Sequence, residues 1–137
     1  MSYLLDTNAC IALINGTPVR VRARFEQITQ GNDEVFVSSI ALYELWYGVF
    51  KSAREEFNRK RIQTFLAGPI SILSFEEEDA KFAGSIRATL ETAGKPIGSY
   101  DILIAGQALR RKLTLVTANV AEFSRIKNLD WENWVKP

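Results

Sequence analysis

The sequence predicts an α/β protein, a three-layer α/β/α sandwich whose mostly parallel sheet has about five strands. Short apolar runs typical of buried strands alternate with longer segments of helical periodicity, and this alternation is characteristic of βαβ units covered on both faces. The 137 residues contain no internal repeat, low-complexity tract or linker, so we expect a single domain over residues 1–137.

The predicted elements follow in order along the chain, separated by glycine, proline and polar residues that favour turns. Apolar residues at positions i, i+4 and i+7 (Val21, Phe25 and Ile28) mark the second helix. The predicted strands are 3–5, 34–37, 70–73, 113–117 and a short one within 131–134. The predicted helices are 8–15, 19–30, 40–50, 52–66, 74–92 and 100–111, and a loop is predicted at 119–125.

Three of the helices carry more specific expectations. Helix 40–50 is apolar on nearly all sides, which is typical of a buried helix. Helix 74–92 begins with acidic residues, as the positive end of the helix dipole favours. Helix 52–66 is more charged, and the residues expected to face inward are Phe57, Ile62, Phe65 and Leu66.

The composition excludes several kinds of enzyme. The chain has no histidine and one cysteine, Cys10, so Ser-His-Asp and Cys-His catalysis, the usual zinc hydrolase sites and an intramolecular disulfide are all excluded. A net charge of +1 neither requires nor excludes a nucleic-acid partner. Neither a signal peptide nor a membrane-spanning run is present, so we expect a cytoplasmic protein without a membrane partner.

Three carboxylates stand alone in stretches that are otherwise apolar. Asp6 ends the first strand, Glu44 lies in helix 40–50, and Asp101 begins helix 100–111. Burying an unpaired carboxylate costs several kcal/mol, and none of the three stretches contains a lysine or arginine to balance it. A hard divalent cation would balance all three, because Mg²⁺ and Mn²⁺ prefer oxygen ligands.

Local explanations for the same residues stay open. Asp6 and Asp101 are placed where they can cap helices, and Glu44 can pair with an arginine from elsewhere in the fold. Thr117 and Asn119 follow the fourth strand, so they should lie at the same edge of the sheet as Asp6, although threonine also favours strands and asparagine favours turns.

Four motifs together resemble the PIN domain and, more narrowly, the ribonuclease toxins of bacterial VapBC toxin–antitoxin pairs. They occur in the family's order over essentially the whole chain. The motifs are Asp6-Thr7-Asn8, a Ser-Ser-x-x-x-x-Glu-Leu-x-x-Gly helix containing Glu44, Ile-Gly-x-x-Asp-x-x-Ile-Ala containing Asp101, and Leu-x-Thr-x-Asn ending at Asn119.

The resemblance implies a five-stranded parallel sandwich and Mg²⁺- or Mn²⁺-dependent hydrolysis of RNA. It implies that Asp6, Glu44 and Asp101 are the catalytic residues and the metal ligands. Supporting residues would be Asn8, Thr117 and Asn119. Many PIN domains have an acidic residue where this chain has Asn119, and Glu122 is near enough in sequence to raise the question of which residue takes that position.

The resemblance also implies partners and a substrate class. The expected partners are an RNA of the tRNA or rRNA class, a VapB-like antitoxin and a second copy of the chain in a homodimer. A PIN nuclease of RNA processing and a catalytically inactive PIN-like interaction domain remain alternatives to the toxin. The aromatic residues Trp46, Tyr47 and Phe50 suit either base stacking or a buried or partner-covered surface, and the second is favoured.

Two groups of basic residues suit contacts with phosphates. From the group that follows helix 40–50 we take Arg54, Lys60 and Arg61 as RNA-binding candidates. The other group is Arg110, Arg111 and Lys112. A solvated helix face and a favourable charge at a helix C-terminus explain these groups at least as well.

Overall fold

The sheet is parallel and has β1 at its centre. A computed structural model describes residues 1–136. The strands are β1 (Ser2–Leu5), β2 (Glu34–Ser38), β3 (Ser71–Leu73), β4 (Thr114–Val116) and β5 (Trp131–Glu132). The helices are α1 (Thr7–Asn15), α2 (Val19–Thr29), α3 (Ser39–Lys51), α4 (Glu55–Leu66), α5 (Glu77–Thr92), α6 (Ser99–Arg111) and α7 (Val120–Phe123).

The strand order is β3-β2-β1-β4-β5, with every neighbouring pair parallel. Neighbouring parallel strands need crossover connections. Helices α1 and α2 connect β1 to β2, α3 and α4 connect β2 to β3, and α5 and α6 connect β3 to β4. Helices α1, α3 and α4 contact one another, and α5 packs extensively on α6. The predicted α/β/α sandwich with five strands is confirmed.

The core is built around the apolar residues of the central strands. Leu4 and Leu5 of β1 are completely buried, and Leu4 pairs with Phe36 of β2 on one side and with Leu115 of β4 on the other. Both faces of β1 are therefore covered, as expected for a strand that is apolar throughout.

A topological switch point lies between β1 and β4. The chain leaves β1 toward β2 on one side of the sheet and later returns to β4 on the other. The two strand ends are held together, since the Asp6 N–H donates to the Val116 carbonyl at 3.1 Å. In open α/β sheets such a point leaves a crevice at the carboxyl ends of the strands, where ligands bind.

Several predictions for individual elements were wrong. Helix α3 is not buried on all sides, because Tyr43, Tyr47 and Phe50 are 55%, 56% and 60% exposed along one face. Phe57 of α4 also faces solvent, so only part of its predicted inward face is correct. The predicted loop at 119–125 contains α7.

The start of α5 also differs from the prediction. The helix begins at Glu77, three residues later than expected, because Glu76 is its N-cap residue and donates its N–H to the carboxylate of Asp79 in the first turn at 2.8 Å. Within residues 1–136, no helix combines the length and the apolar character needed to cross a membrane.

Candidate active site

Asp6 lies where β1 passes directly into α1, and it is buried. Its Oδ1 accepts the Ala9 N–H at 2.7 Å, so Asp6 does cap α1. Burial raises the pKa of Asp6, hydrogen bonds from the Thr117 hydroxyl and the Ala9 N–H lower it in part, and the Glu44 charge raises it again. Capping of α1 uses the Oδ1 atom of Asp6. The charge of Asp6 is also close enough to Glu44 for the two carboxylates to repel each other.

Asp101 lies in the first turn of α6 and is half-buried. Its pKa is raised to about 6, first by burial and then by the charges of Asp6, Glu122 and Glu44. Because charges act strongly on one another only at short range, these four acidic side chains, which come from four separate segments, lie in one region of the fold.

Glu44 extends from the second turn of α3 toward α1. Its Oε1 accepts a hydrogen bond of 2.6 Å from the hydroxyl of Thr7. Thr7 therefore positions Glu44, a role that the sequence analysis did not assign. The signal was present, since Thr7 is the middle residue of the Asp6-Thr7-Asn8 motif. Asn8, by contrast, is exposed and lies beside Thr117 and Ala118 at the edge of the sheet.

The segment after β4 adds the fourth acidic residue. The Thr117 hydroxyl is buried and accepts the Asn119 N–H at 2.9 Å. The Asn119 amide in turn donates to Glu122 Oε2 at 3.1 Å. Asn119 therefore holds Glu122, and it is Glu122 that contributes the fourth negative charge felt by Asp101.

None of these carboxylates has a basic partner. In the part of the chain that the structure describes, no lysine or arginine forms an ion pair with Asp6, Glu44, Asp101 or Glu122. Four unpaired negative charges together are unfavourable, and their hard oxygen donors are those that Mg²⁺ and Mn²⁺ prefer.

The side chains are not drawn together into a closed metal-binding group. Among residues 1–136, no three His, Cys, Asp or Glu side chains are arranged to hold a metal ion. Two of the carboxylates are instead directed by their own hydrogen bonds, Asp6 to Ala9 and Glu44 to Thr7. The donor set fits a divalent cation in chemistry and charge, and binding it requires the carboxylates to turn toward one another.

Another buried carboxylate, Asp79, has a very different environment. Its Oδ1 accepts Arg110 Nε at 2.7 Å, and its Oδ2 accepts Arg111 Nη2 at 3.3 Å. Burial pushes the pKa of Asp79 upward, but hydrogen bonds from Arg110, Glu76 N–H and Arg111 outweigh it, so the pKa is lowered. Arg110 and Arg111 therefore form ion pairs between α6 and α5, which favours the structural explanation for these two residues over phosphate binding.

The three RNA-binding candidates differ in their exposure and in their contacts within the protein. Arg61 is half-buried and donates to the Ile14 carbonyl at 3.2 Å, which ties α4 to the end of α1. It nevertheless lines the same cleft as Glu44. Arg54 lies over the Phe57 ring at 4.0 Å, and Lys60 is exposed. RNA binding by Arg54, Lys60 and Arg61 stays a prediction.

Comparisons with known protein families and with individual relatives agree on one family. The profile of the PIN domain matches residues 3–129. Ribonuclease VapC2 of Rickettsia felis is 41% identical over 136 residues, covering 99% of this chain and 100% of the relative. The tRNA(fMet)-specific endonuclease VapC of Shigella flexneri is 40% identical, with 98% of both chains covered.

Solved structures agree with these relatives. The structure of VapBC2 from Rickettsia felis bound to a DNA fragment from their promoter matches with a TM-score of 0.91 and 40% identity, covering 98% of this chain and 99% of that one. DNA-bound VapBC from Salmonella typhimurium matches with a TM-score of 0.88 and 39% identity over 98% of both chains. The chain therefore belongs to the PIN-domain family and, within it, to the VapC ribonucleases.

Proposed function

We propose that this ribonuclease is a Mg²⁺- or Mn²⁺-dependent endoribonuclease, the toxin of a toxin–antitoxin pair. The observation that carries the metal dependence is the group of four acidic side chains without a basic partner, Asp6, Glu44, Asp101 and Glu122, at the switch point of the sheet. A bound divalent cation compensates their charge, and its location at the carboxyl ends of β1 and β4 is where α/β proteins bind ligands.

The three predicted ligands divide the work with their neighbours. Asp6, Glu44 and Asp101 would hold the cation, and Glu122 adds the negative charge that Asn119 lacks. When bound, such a cation polarises a phosphodiester and lowers the pKa of water. The Thr117 hydroxyl and the Ala9 N–H hold Asp6 in place.

Other residues of the site hold the acidic side chains and limit which groups can accept a proton. Thr7 holds Glu44 and Asn119 holds Glu122 by hydrogen bonds, so both acidic side chains stay near the switch point without a cation. Since the chain has no histidine, a carboxylate must accept any proton that a protein group takes up. The cost of holding several carboxylates together without a cation is the expected price of such a prepared site.

The substrate and the partner follow from the relatives. A relative at 40% identity is named a tRNA(fMet)-specific endonuclease, and we propose a tRNA as the substrate here also. Similar chains were solved as VapBC complexes, so we propose a VapB-like antitoxin. The cleft between α1, α3 and α4, lined by Ile11, Glu44 and Arg61, would place an antitoxin segment beside the active site.

The test is cleavage of a mixed tRNA and rRNA substrate in Mg²⁺, in Mn²⁺ and in EDTA. The wild type should cut RNA only with metal, and Asp6→Asn should not cut. The matched control is Asp130→Asn, an exposed position immediately before β5 and therefore at the opposite edge of the sheet. Cleavage in EDTA would contradict the metal dependence, and the absence of any cleavage by folded wild type would favour the inactive interaction domain.

A further inference from the structure

Two exposed tyrosines stand at the rim of the acidic site. Tyr43 precedes Glu44 on α3, and Tyr100 precedes Asp101 on α6. Their rings meet edge to face, with centroids 5.5 Å apart and an interplanar angle of 64°. Their hydroxyls are 3.3 Å apart, within hydrogen-bond distance.

This pair does little for the core. Tyr43 is 55% exposed and Tyr100 is 44% exposed, so about half of each side chain remains in water. An edge-to-face contact covers the face of one ring only in part and leaves other ring surface open. Within residues 1–136, no lysine or arginine lies over either ring.

The other aromatic residues of α3 form a different surface. Tyr47 has the Lys51 ammonium 5.6 Å from its ring centroid, and Phe50 has the Arg59 guanidinium at 5.3 Å. Both lie one turn or more beyond Tyr43, toward the C-terminal end of the helix, and their rings contact basic residues of α3 and α4. Of the exposed aromatic side chains on α3, Tyr43 is therefore the one whose ring meets an aromatic ring of α6, the helix that carries Asp101.

We propose that Tyr43 and Tyr100 stack an unpaired base of the RNA next to the phosphodiester that is cleaved. Every base offers a π-face to an aromatic ring, and RNA-binding proteins use this contact for single-stranded nucleotides. The pair adjoins Glu44 and Asp101, so a base held there keeps its own phosphate beside the acidic site. This inference rests on the proposed function, because it assumes that the acidic site receives RNA.

The pair also determines the form of RNA that fits. Bases inside a double helix are stacked on their neighbours, so their faces are not available to a side chain. A base can reach the two tyrosines only from a loop, a bulge or a single strand. The inferred substrate is therefore an unpaired segment of RNA, and a base-paired stem should bind poorly.

The experiment measures binding of a labelled single-stranded oligoribonucleotide in Ca²⁺, next to cleavage in Mg²⁺. The proteins are the wild type, Tyr43→Leu/Tyr100→Leu, the conservative Tyr43→Phe and the control Tyr47→Leu. Each position of the oligonucleotide is replaced in turn by an abasic residue. Circular dichroism and sedimentation check the folding and the oligomeric state of each protein.

The expected result is a coupling between the protein change and the abasic change. Wild type should lose about tenfold in affinity when one particular nucleotide is abasic, which is a typical contribution of base stacking. The double variant should bind intact RNA about tenfold more weakly and show no further abasic penalty. Tyr43→Phe and Tyr47→Leu should keep both the wild-type affinity and the wild-type penalty.

Three results with the variants would overturn the inference. They are an abasic penalty that persists in the double variant, equal loss in Tyr47→Leu, and weaker binding that accompanies a changed oligomeric state, which would make the pair a contact between copies of the chain. Binding without cleavage by the wild type would contradict the proposed function but would still allow the stacking to be measured. Failure of the wild type to bind any single-stranded RNA would overturn the stacking itself.

Discussion

The protein contains two groups of buried or half-buried carboxylates that are treated in opposite ways. Asp79 is completely buried, accepts hydrogen bonds from two guanidinium groups, and has a lowered pKa. Asp6 and Asp101 have raised pKa values and no ion pair with any basic residue of the described chain. Arginines of the same fold therefore pair with the carboxylate that stabilises the packing of α5 and α6, and none pairs with the carboxylates at the switch point, which is the contrast behind the proposed metal site.

Helix α6 joins the two groups. Its C-terminal end carries Arg110 and Arg111, which bind Asp79 of α5, and its first turn carries Asp101. Midway, Gly106 packs so closely on α5 that a Cβ there would lie 2.8 Å from Ala83. The ion pairs of Asp79 and the close contact at Gly106 fix α6 against α5. The unpaired carboxylate of Asp101 therefore lies on a rigid helix.

The largest effect should come from Asp6→Asn. We expect RNA cleavage to fall by roughly 1,000-fold, since a charged group of the site is lost. In EDTA the free energy of unfolding should stay the same or rise, because one of several repelling charges is removed. Cleavage rates and thermal unfolding measure both effects, and a strong loss of stability would show that Asp6 is mainly structural.

Asp79→Asn should have the opposite pattern of effects, with a large loss of stability and little change in cleavage. Removing the charge leaves the two arginines with only the exposed Glu76 as an ionic partner and should lower the free energy of unfolding by about 3 kcal/mol. For a chain of this size that corresponds to a fall in Tm of roughly 10 °C. Below the new Tm, cleavage per folded molecule should be nearly normal. An unchanged Tm would mean that the ion pairs contribute nothing net.

The pH dependence of stability should differ in sign between the two groups. Asp101, raised from 3.8 to about 6, keeps its proton in the folded state while the unfolded chain releases it. Metal-free protein therefore loses stability as pH rises between 3.8 and about 6. Asp79, whose pKa is lowered from 3.8, loses its contribution as pH falls below that value.

Unfolding in EDTA from pH 3 to pH 7 tests both slopes. Asp101→Asn should reduce the loss of stability on the neutral side, to which Asp6 with its raised pKa also contributes, and Asp79→Asn should remove the contribution of Asp79 on the acid side. A wild-type slope of the same sign in both windows would contradict the difference between the two groups.

The smallest effect should come from Asn119→Asp. The substitution removes the amide that donates to Glu122 and adds another negative charge. Metal-free protein should lose about 1 kcal/mol of stability, as expected for one lost hydrogen bond. Mg²⁺ should protect this variant against heat more than it protects the wild type. A more stable metal-free variant would argue against crowded negative charge at this site.

The sequence was sufficient for the sheet and for the placement of the main acidic residues. The strands can be identified from their apolar runs, and the carboxylates stand out because each is the only charge in an apolar stretch. Both features can be read directly from the order of residues along the chain. Thr7 and the Asp79 ion pairs were missed, and the choice between Asn119 and Glu122 stayed open, because each depends on which segments the fold brings together. Asp79 stood in an acidic run that a helix dipole explained equally well.

The exposed face of α3 was missed for a similar reason. Tyr43, Tyr47 and Phe50 made the helix look apolar on all sides, and the sequence does not distinguish a core aromatic from one kept at the surface for a partner.

Calorimetric titration of metal-free protein with Mn²⁺ at neutral pH tests directly whether the acidic site binds a metal ion. The wild type and the control Asp130→Asn should bind Mn²⁺ alike, and Asp101→Asn should bind at least about tenfold more weakly, as is typical when a metal site is impaired. Equal binding by Asp101→Asn, or no binding by the folded wild type, would contradict the claim that the unpaired carboxylates form a metal site.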